Sequence, residues 1–240
     1  MEFSNVILYS SIAGLSTLVG TLLVLYREKW ARKNALYLVS FAAGVMLAAA
    51  FIYIIPESLK LYGNTLPLVL IGILVFYLIQ HIVMLHPCHD EQCRIHRLGI
   101  LSLSGLTFHS FLDGVIIVVG FEAGPALGII TTLAVLLHRV PIGITIAAVL
   151  IYAAMEKKKV FLCSLIVALV APLGAIISYF FLRGISPKLA GALVALAAGL
   201  FIYIATVDLM PETHKAQNKL HPIILLTGAL LLILVGHFLA

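Results

Sequence analysis

The chain has 240 residues, of which 62% are hydrophobic and only 10% charged, with a mean hydropathy of +1.16. A soluble globular domain would carry about a quarter charged residues, so the composition excludes one. The net charge of +5 is not a nucleic-acid signal, because basic and aromatic residues do not interleave along the chain, and the three cysteines, Cys88, Cys93 and Cys163, do not frame a disulfide scaffold.

Eight apolar segments follow one another, at about 5–26, 35–57, 66–85, 99–121, 126–153, 160–182, 188–210 and 222–239. Each approaches the roughly 20 residues that cross a bilayer as a helix. They predict an all-α, polytopic membrane protein with one integral domain over residues 1–240. The first segment opens on Glu2 instead of a basic stretch, which reads as a retained span and not a cleaved signal. The connectors are short: Arg27-Glu28-Lys29, Tyr62-Gly63-Asn64, His86-Pro87, Glu122 to Pro125, Glu156 to Lys159, Ser186-Pro187 and Asn218 to Pro222. Eleven of the fifteen Lys and Arg fall in odd-numbered connectors, three in even-numbered ones, and Arg139 lies inside a span. Cytoplasmic loops carry the excess of Lys and Arg, so the odd connectors are cytoplasmic and both termini extracytoplasmic.

An internal repeat links the second and seventh segments. Ala42-Ala43-Gly44 and Pro56-Glu57-Ser58 recur 155 residues later as Ala197-Ala198-Gly199 and Pro211-Glu212-Thr213. Five crossings separate the copies, so they run in opposite directions. Spans 1–3 would then be repeated, inverted, as spans 6–8 around central spans 4 and 5, with a site expected near the midplane.

The chemistry sits in the two central segments. His109 and Asp113 are four residues apart and share one helix face. Ionisable groups at membrane depth are costly and face a cavity, an ion path or each other. Imidazole and carboxylate are the usual ligands of zinc, iron or manganese; the bland alternative is a hydrogen-bonded pair that only ties helices. His138 lies at matching depth in the next span, and Pro141, one turn on, loosens that helix. Thr131 and Thr145, seven residues either side of His138, would line a polar groove. Arg139 keeps its charge and cannot be a ligand. Either it pairs Asp113 or a carbonyl, or it is a fixed cation where a second metal would stand.

Further candidates lie away from this centre. Met46 offers a thioether in the small-residue stretch of span 2, where packing is the alternative. Asp208, Glu212 and His214 at the cytoplasmic end of span 7 would form an exit station, with His81 on span 3; terminal acids and histidines are also commonly just solvated. The third connector, His86-Pro87-Cys88-His89-Asp90-Glu91-Gln92-Cys93-Arg94-Ile95-His96, suits transient metal binding but lacks the Cys-x-x-Cys spacing of a closed zinc site. His237 has no partner pattern.

Phe41-Ala42-Ala43-Gly44 through Ile55-Pro56-Glu57, the His109-Ser110-Phe111-Leu112-Asp113-Gly114 segment, Ala171-Pro172-Leu173-Gly174 and Ala205 through Glu212 together resemble the ZIP (Zrt/Irt-like) family. The resemblance covers the whole chain. It implies eight spans and transport of zinc and related divalent metals into the cytoplasm. Span 5 departs from the family's common His-Glu-x-Pro-Glu: here it reads His138-Arg139-Val140-Pro141-Ile142. Ser110 stands where Asn is common, and Ala171 where two-metal members have an acid. The chain is thus similar to the subfamily with a His-basic-x-Pro motif, which implies one metal at His109, Asp113 and His138, with Arg139 as resident cation.

The expected function is carriage of a divalent metal, zinc or else iron or manganese, across the cell membrane into the cytoplasm, with no catalysis. Two other readings are weighed against it: an intramembrane zinc-dependent lipid hydrolase, which would keep an open water position on the same ligands, and a non-transporting sensor built on the third connector. The small-residue faces of spans 2 and 7 would also permit a homodimer.

Overall fold

The computed structural model describes residues 3–84, 91–152, 155–214 and 219–239. Among the described residues there is no strand, and eight helices are long and apolar enough to cross a membrane: α1 (Phe3–Ala31), α2 (Lys33–Tyr62), α3 (Thr65–Ile82), α4 (Leu106–Ala123), α5 (Pro125–Ile151), α6 (Lys157–Leu182), α7 (Pro187–Leu209) and α8 (Leu220–Phe238). This is a multi-pass, all-α membrane protein. Two boundaries differ from the sequence expectation. The first connector contracts to a break at Arg27 (φ −132°, ψ 47°) inside otherwise continuous helix, and the fourth helix starts at Glu91, well before its apolar run.

Local sequence explains where helices start and stop. Ser186 caps α7, its Oγ accepting from the Leu189 N–H at 3.3 Å, with Pro187 at the first helical position where no N–H is needed. Gly63 (φ +79°) closes α2, and Gly184 (φ +73°) follows α6; both backbones are left-handed, which favours glycine.

The inverted repeat is visible as geometry. α2 and α7 each carry a six-residue π-helical stretch, Ala49–Ile54 and Ile204–Leu209, 155 residues apart and each ending two residues before a proline, Pro56 or Pro211. A proline removes a donor and displaces the carbonyl four residues back, and a wide turn is one way to absorb that.

Glycine contacts repeat on the corresponding helices, within one residue of the same register. A methyl group at Gly44 would lie 1.9 Å from the Leu225 carbonyl oxygen and one at Gly228 2.2 Å from that of Phe41, which locks α2 to α8. Gly199 against Val69 (2.3 Å) and Gly72 against Leu196 (2.5 Å) lock α7 to α3 in the same way. Gly20 against Val140 and Gly143 against Thr17 join α1 to α5, and their counterparts Gly174 against Phe111 and Gly114 against Ala171 join α6 to α4. Lipid supplies no hydrophobic drive between helices, so backbone-to-backbone approach at glycines is the source of tight packing here.

Two groups of four helices result: α1, α4, α5 and α6, and α2, α3, α7 and α8. They meet along the alanine-rich faces of α2 and α7, where Ala42, Ala43, Met46, Ala198 and Phe201 belong to one buried cluster with Ile117, Ala134 and Val135 of α4 and α5. Long apolar side chains such as Leu8, Leu70, Ile166 and Leu230 point outward, as lipid-facing positions require.

Candidate metal site

α4 and α5 are the repeat's central pair, and a shift of 29 residues carries His109 onto His138 and Gly114 onto Gly143. The glycines set how close each helix lies to its neighbour; the histidines, one turn away, therefore arrive at equivalent depth and face each other. Their Nε2 atoms are 3.3 Å apart. Asp113, one turn along α4 from His109, places Oδ2 3.7 Å from the His109 Nε2 and 3.5 Å from the His138 Nε2. His138 and Asp113 are sealed from the surface, and His109 is 9% exposed.

These three donor atoms form a triangle whose size can be compared with a coordination shell. A tetrahedral zinc with bonds of about 2.0–2.1 Å has ligand–ligand edges of about 3.3–3.4 Å. The observed edges of 3.3, 3.5 and 3.7 Å fit that shell with small closure. His138 Nδ1 lies 2.9 Å from the Ala134 carbonyl oxygen. A carbonyl only accepts, so Nδ1 carries the hydrogen and Nε2 presents its lone pair to the centre, the usual outer support of a metal-binding imidazole. The second carboxylate oxygen, Asp113 Oδ1, is buried and has no hydrogen-bond partner. Among the described residues this is the one cluster of three or more His, Cys, Asp or Glu donors within such reach.

Arg139 is the largest fully buried side chain. Its Nε donates to Asp113 Oδ2 at 3.0 Å, Nη1 to Thr17 Oγ1 at 3.1 Å, and Nη2 to the Ser110 carbonyl at 3.2 Å and to the Ser110 hydroxyl. Ser110 in turn donates to the Val167 carbonyl of α6. One guanidinium thereby links α5 to α4 and α1, and through Ser110 to α6. Two phenyl rings from the other helix group close in on the triad: Phe76 of α3 edge-on to His109 at 6.2 Å, and Phe201 of α7 edge-on to His138 at 6.4 Å.

The other expected residues stand elsewhere. Met46 is fully buried in the alanine-rich cluster between the helix groups. Asp208 accepts from Gln80 Nε2 at 3.1 Å, and His81, the next residue on α3, is exposed and stacked on Tyr77. Glu212 and His214 continue the helix beyond α7 (Met210–His214), but their side chains fall outside the described residues, as do His86 to Asp90 of the third connector and the side chains of Glu91, Cys93 and His96. The expected polar groove is not formed by the threonines: Thr145 is exposed and donates to Pro141, and Thr131 donates to Gly128, so both hydroxyls turn back into their own helix. Sequence reasoning did not find Thr17 or the two phenylalanines. No local signal singles out Thr17, because Ser16 also lies between Gly14 and Gly20, which pack on α6 and α5 respectively.

An inverted-repeat helical bundle with converging metal donors at its centre defines a class, that of integral membrane metal transporters. Comparison with known proteins agrees. The family model described as "ZIP Zinc transporter" matches residues 85–236. "Zinc transporter ZupT" of Chlorobium chlorochromatii is 30% identical over 228 residues, covering 85% of each chain, and that of Chlorobium limicola is 28% identical over 228 residues, covering 85% of this chain and 86% of the relative. Human "Zinc transporter SLC39A7" is 32% identical over 149 residues, 58% of this chain and 32% of the relative. This chain belongs to the ZIP family. It is therefore a membrane metal transporter, with a function of transport rather than catalysis.

Proposed function

We propose that the chain carries zinc into the cytoplasm through one mononuclear site formed by His109, Asp113 and His138, iron or manganese being the other metals this ligand set would accept. The observation that carries this reading is the triangle of donor atoms at near-tetrahedral edge lengths, with His138 held in the metal-binding tautomer by Ala134. The family model and the relatives, all named for zinc, support the choice of metal. Arg139 fills the place of a second metal as a resident cation. Zinc enters from the extracytoplasmic side, exchanges water for the three side chains with Met46 at hand for a passing thioether contact, and leaves past Asp208, Glu212, His214 and His81.

The charge distribution of the connectors supports a cell-membrane protein with both termini extracytoplasmic. The inverted repeat supports movement of one helix group against the other, with residues 1–240 acting as a single transport domain and a homodimer as the assembly. Purified protein in vesicles with a trapped zinc indicator tests the site. His109→Ala and Asp113→Ala should each abolish zinc uptake and zinc binding. Uptake at the unmodified rate in either variant removes that residue from the site.

A further inference from the structure

Asp113 and Arg139 are the two formally charged side chains in the buried set of described residues, and they sit 3.0 Å apart with about 1% exposure each. Their charges cancel. A carrier that has delivered its ion has to reorient with its binding site empty. A lone carboxylate buried at that point would oppose the step, since an unpaired charge in a low-dielectric interior is strongly unfavourable. Many carriers answer this by taking a second ion on the way back.

Here the cation is part of the chain. Arg139 cannot lose its proton, and its contacts with Thr17, Ser110 and Asp113 all lie within the helix group that carries the triad, so it travels with the site. The Arg139 Nε and the two imidazole Nε2 atoms converge on one oxygen, Asp113 Oδ2, while Oδ1 is unpartnered. A carboxylate oxygen has two lone pairs, so Oδ2 can offer one to a metal at the triangle while the other keeps the guanidinium.

Resting on the mononuclear site above, we infer that Arg139 is a built-in counter-ion. The empty site is neutral and recrosses without a replacement cation; the loaded site carries the two positive charges of the metal. Net transport is then uncoupled from any counter-substrate and is driven by membrane potential. Arg139 is a positioning and charge-setting residue here, not a ligand.

The test uses the full chain in vesicles. It compares net zinc uptake into zinc-free vesicles with exchange of radioactive zinc at equal zinc on both sides, at potentials set by potassium and valinomycin. Exchange needs no empty crossing, whereas net uptake does. Unmodified protein should show net uptake with nothing but buffer salts inside, accelerated by an inside-negative potential. Arg139→Gln should lower the ratio of net uptake to exchange by about tenfold or more, because its empty site keeps an uncompensated carboxylate.

Arg139→Lys, which restores the charge but not the forked contacts to Thr17 and Ser110, should bring that ratio back to within about threefold of the unmodified value even where both rates fall. A ratio unchanged in Arg139→Gln, or lowered equally in Arg139→Lys, overturns the inference and leaves only a structural tie. Should the Gln variant not assemble, unmodified protein decides: net uptake that ignores potential, or that requires a cation inside, is equally fatal. Failure of the site itself reads out differently, as normal zinc exchange in His109→Ala whatever the ratio does.

Discussion

Gly143 is the position where the structure gives the most quantitative handle on the site. A Cβ at Gly143 would lie 1.9 Å from the Thr17 carbonyl oxygen, 2.9 Å from the Thr17 carbonyl carbon and 3.1 Å from the Thr21 N, all backbone atoms that no side-chain rotation can move. Ordinary van der Waals contact begins near 3.4 Å, so Gly143→Ala must part α1 from α5 by about 1.5 Å at this crossing. The same stretch of α1 supplies Thr17, which accepts from Arg139 at 3.1 Å, and Thr21, which donates to the Gly143 carbonyl at 3.3 Å. A separation of that size breaks both bonds and leaves the guanidinium held by Asp113 and Ser110 alone, with Nη1 unpaired.

Overpacking of this kind costs about 1–3 kcal/mol of stability, and a displacement near 1 Å at a reacting centre costs roughly 100-fold in rate. Gly143→Ala should therefore lose one to two orders of magnitude of initial zinc uptake in vesicles and unfold at lower temperature in detergent. Gly124→Ala is the control, because a methyl group there meets nothing within 4 Å. Gly114→Ala, which would meet the Ala171 carbonyl oxygen at 2.0 Å, should reproduce the defect from the other side of the repeat. Uptake and thermal stability of Gly143→Ala equal to those of Gly124→Ala would refute the packing account.

Thr17→Val keeps the volume but leaves a buried guanidinium N–H unpaired, so it should destabilise by about 1–3 kcal/mol; a melting temperature at or above that of the unmodified protein contradicts this. X-ray absorption on zinc-loaded protein should show nitrogen and oxygen ligands with two imidazoles and no sulfur at the central site, identical in Cys163→Ser; a sulfur shell that Met46→Leu removes would bring Met46 into the coordination sphere. Zinc and protons compete for imidazole nitrogens, so binding should weaken once the medium is acidic enough to protonate them, which a titration of zinc affinity against pH reads directly; affinity that stays level as the medium turns strongly acidic would exclude the histidines. Asp208→Asn, which removes the carboxylate paired with Gln80, should slow uptake while leaving equilibrium zinc binding at the centre unchanged; weaker binding would put Asp208 in the central site.

Much of this molecule is written in residue spacing. The eight spans follow from apolar run length, and the 155-residue echo of Ala-Ala-Gly and Pro-Glu marks where the two π-helical stretches and the Gly44 and Gly199 crossings fall. His109 and Asp113 are four apart on one helix, so their shared face is a local property. His138 needed one further assumption, that spans joined by a short connector lie side by side. Thr17 was not legible because its partner is 122 residues away, and no local pattern encodes which hydroxyl of α1 meets the guanidinium. Thr131 and Thr145 misled because helix periodicity gives the face but not the partner: a threonine in an apolar helix often satisfies its hydroxyl on its own preceding carbonyl, and both do so here. Phe76 and Phe201 were invisible for a different reason. In a chain this apolar a phenylalanine carries no contrast, and only the meeting of the two helix groups singles out these rings.

The repeat also explains why the chemistry sits where it does. A perfect two-fold relation between α4 and α5 would place identical residues on both sides of the centre, and at His109 and His138 it does. One residue on, the symmetry fails: Ser110 is matched by Arg139, and these two counterparts bond to each other. Four residues on, Asp113 is matched by Ile142, so only one carboxylate reaches the middle. Packing constrains the glycines to repeat, because each pair closes an equivalent helix crossing. Nothing in the packing requires the polar residues to repeat, and the two departures nearest the centre change charge: an acid on one side and a base on the other, in mutual contact. A symmetric pair of acids would hold two metals or one very tightly. The asymmetric pair gives a neutral pocket with a single anionic oxygen to offer, which suits a site that has to let go of its ion as readily as it takes it.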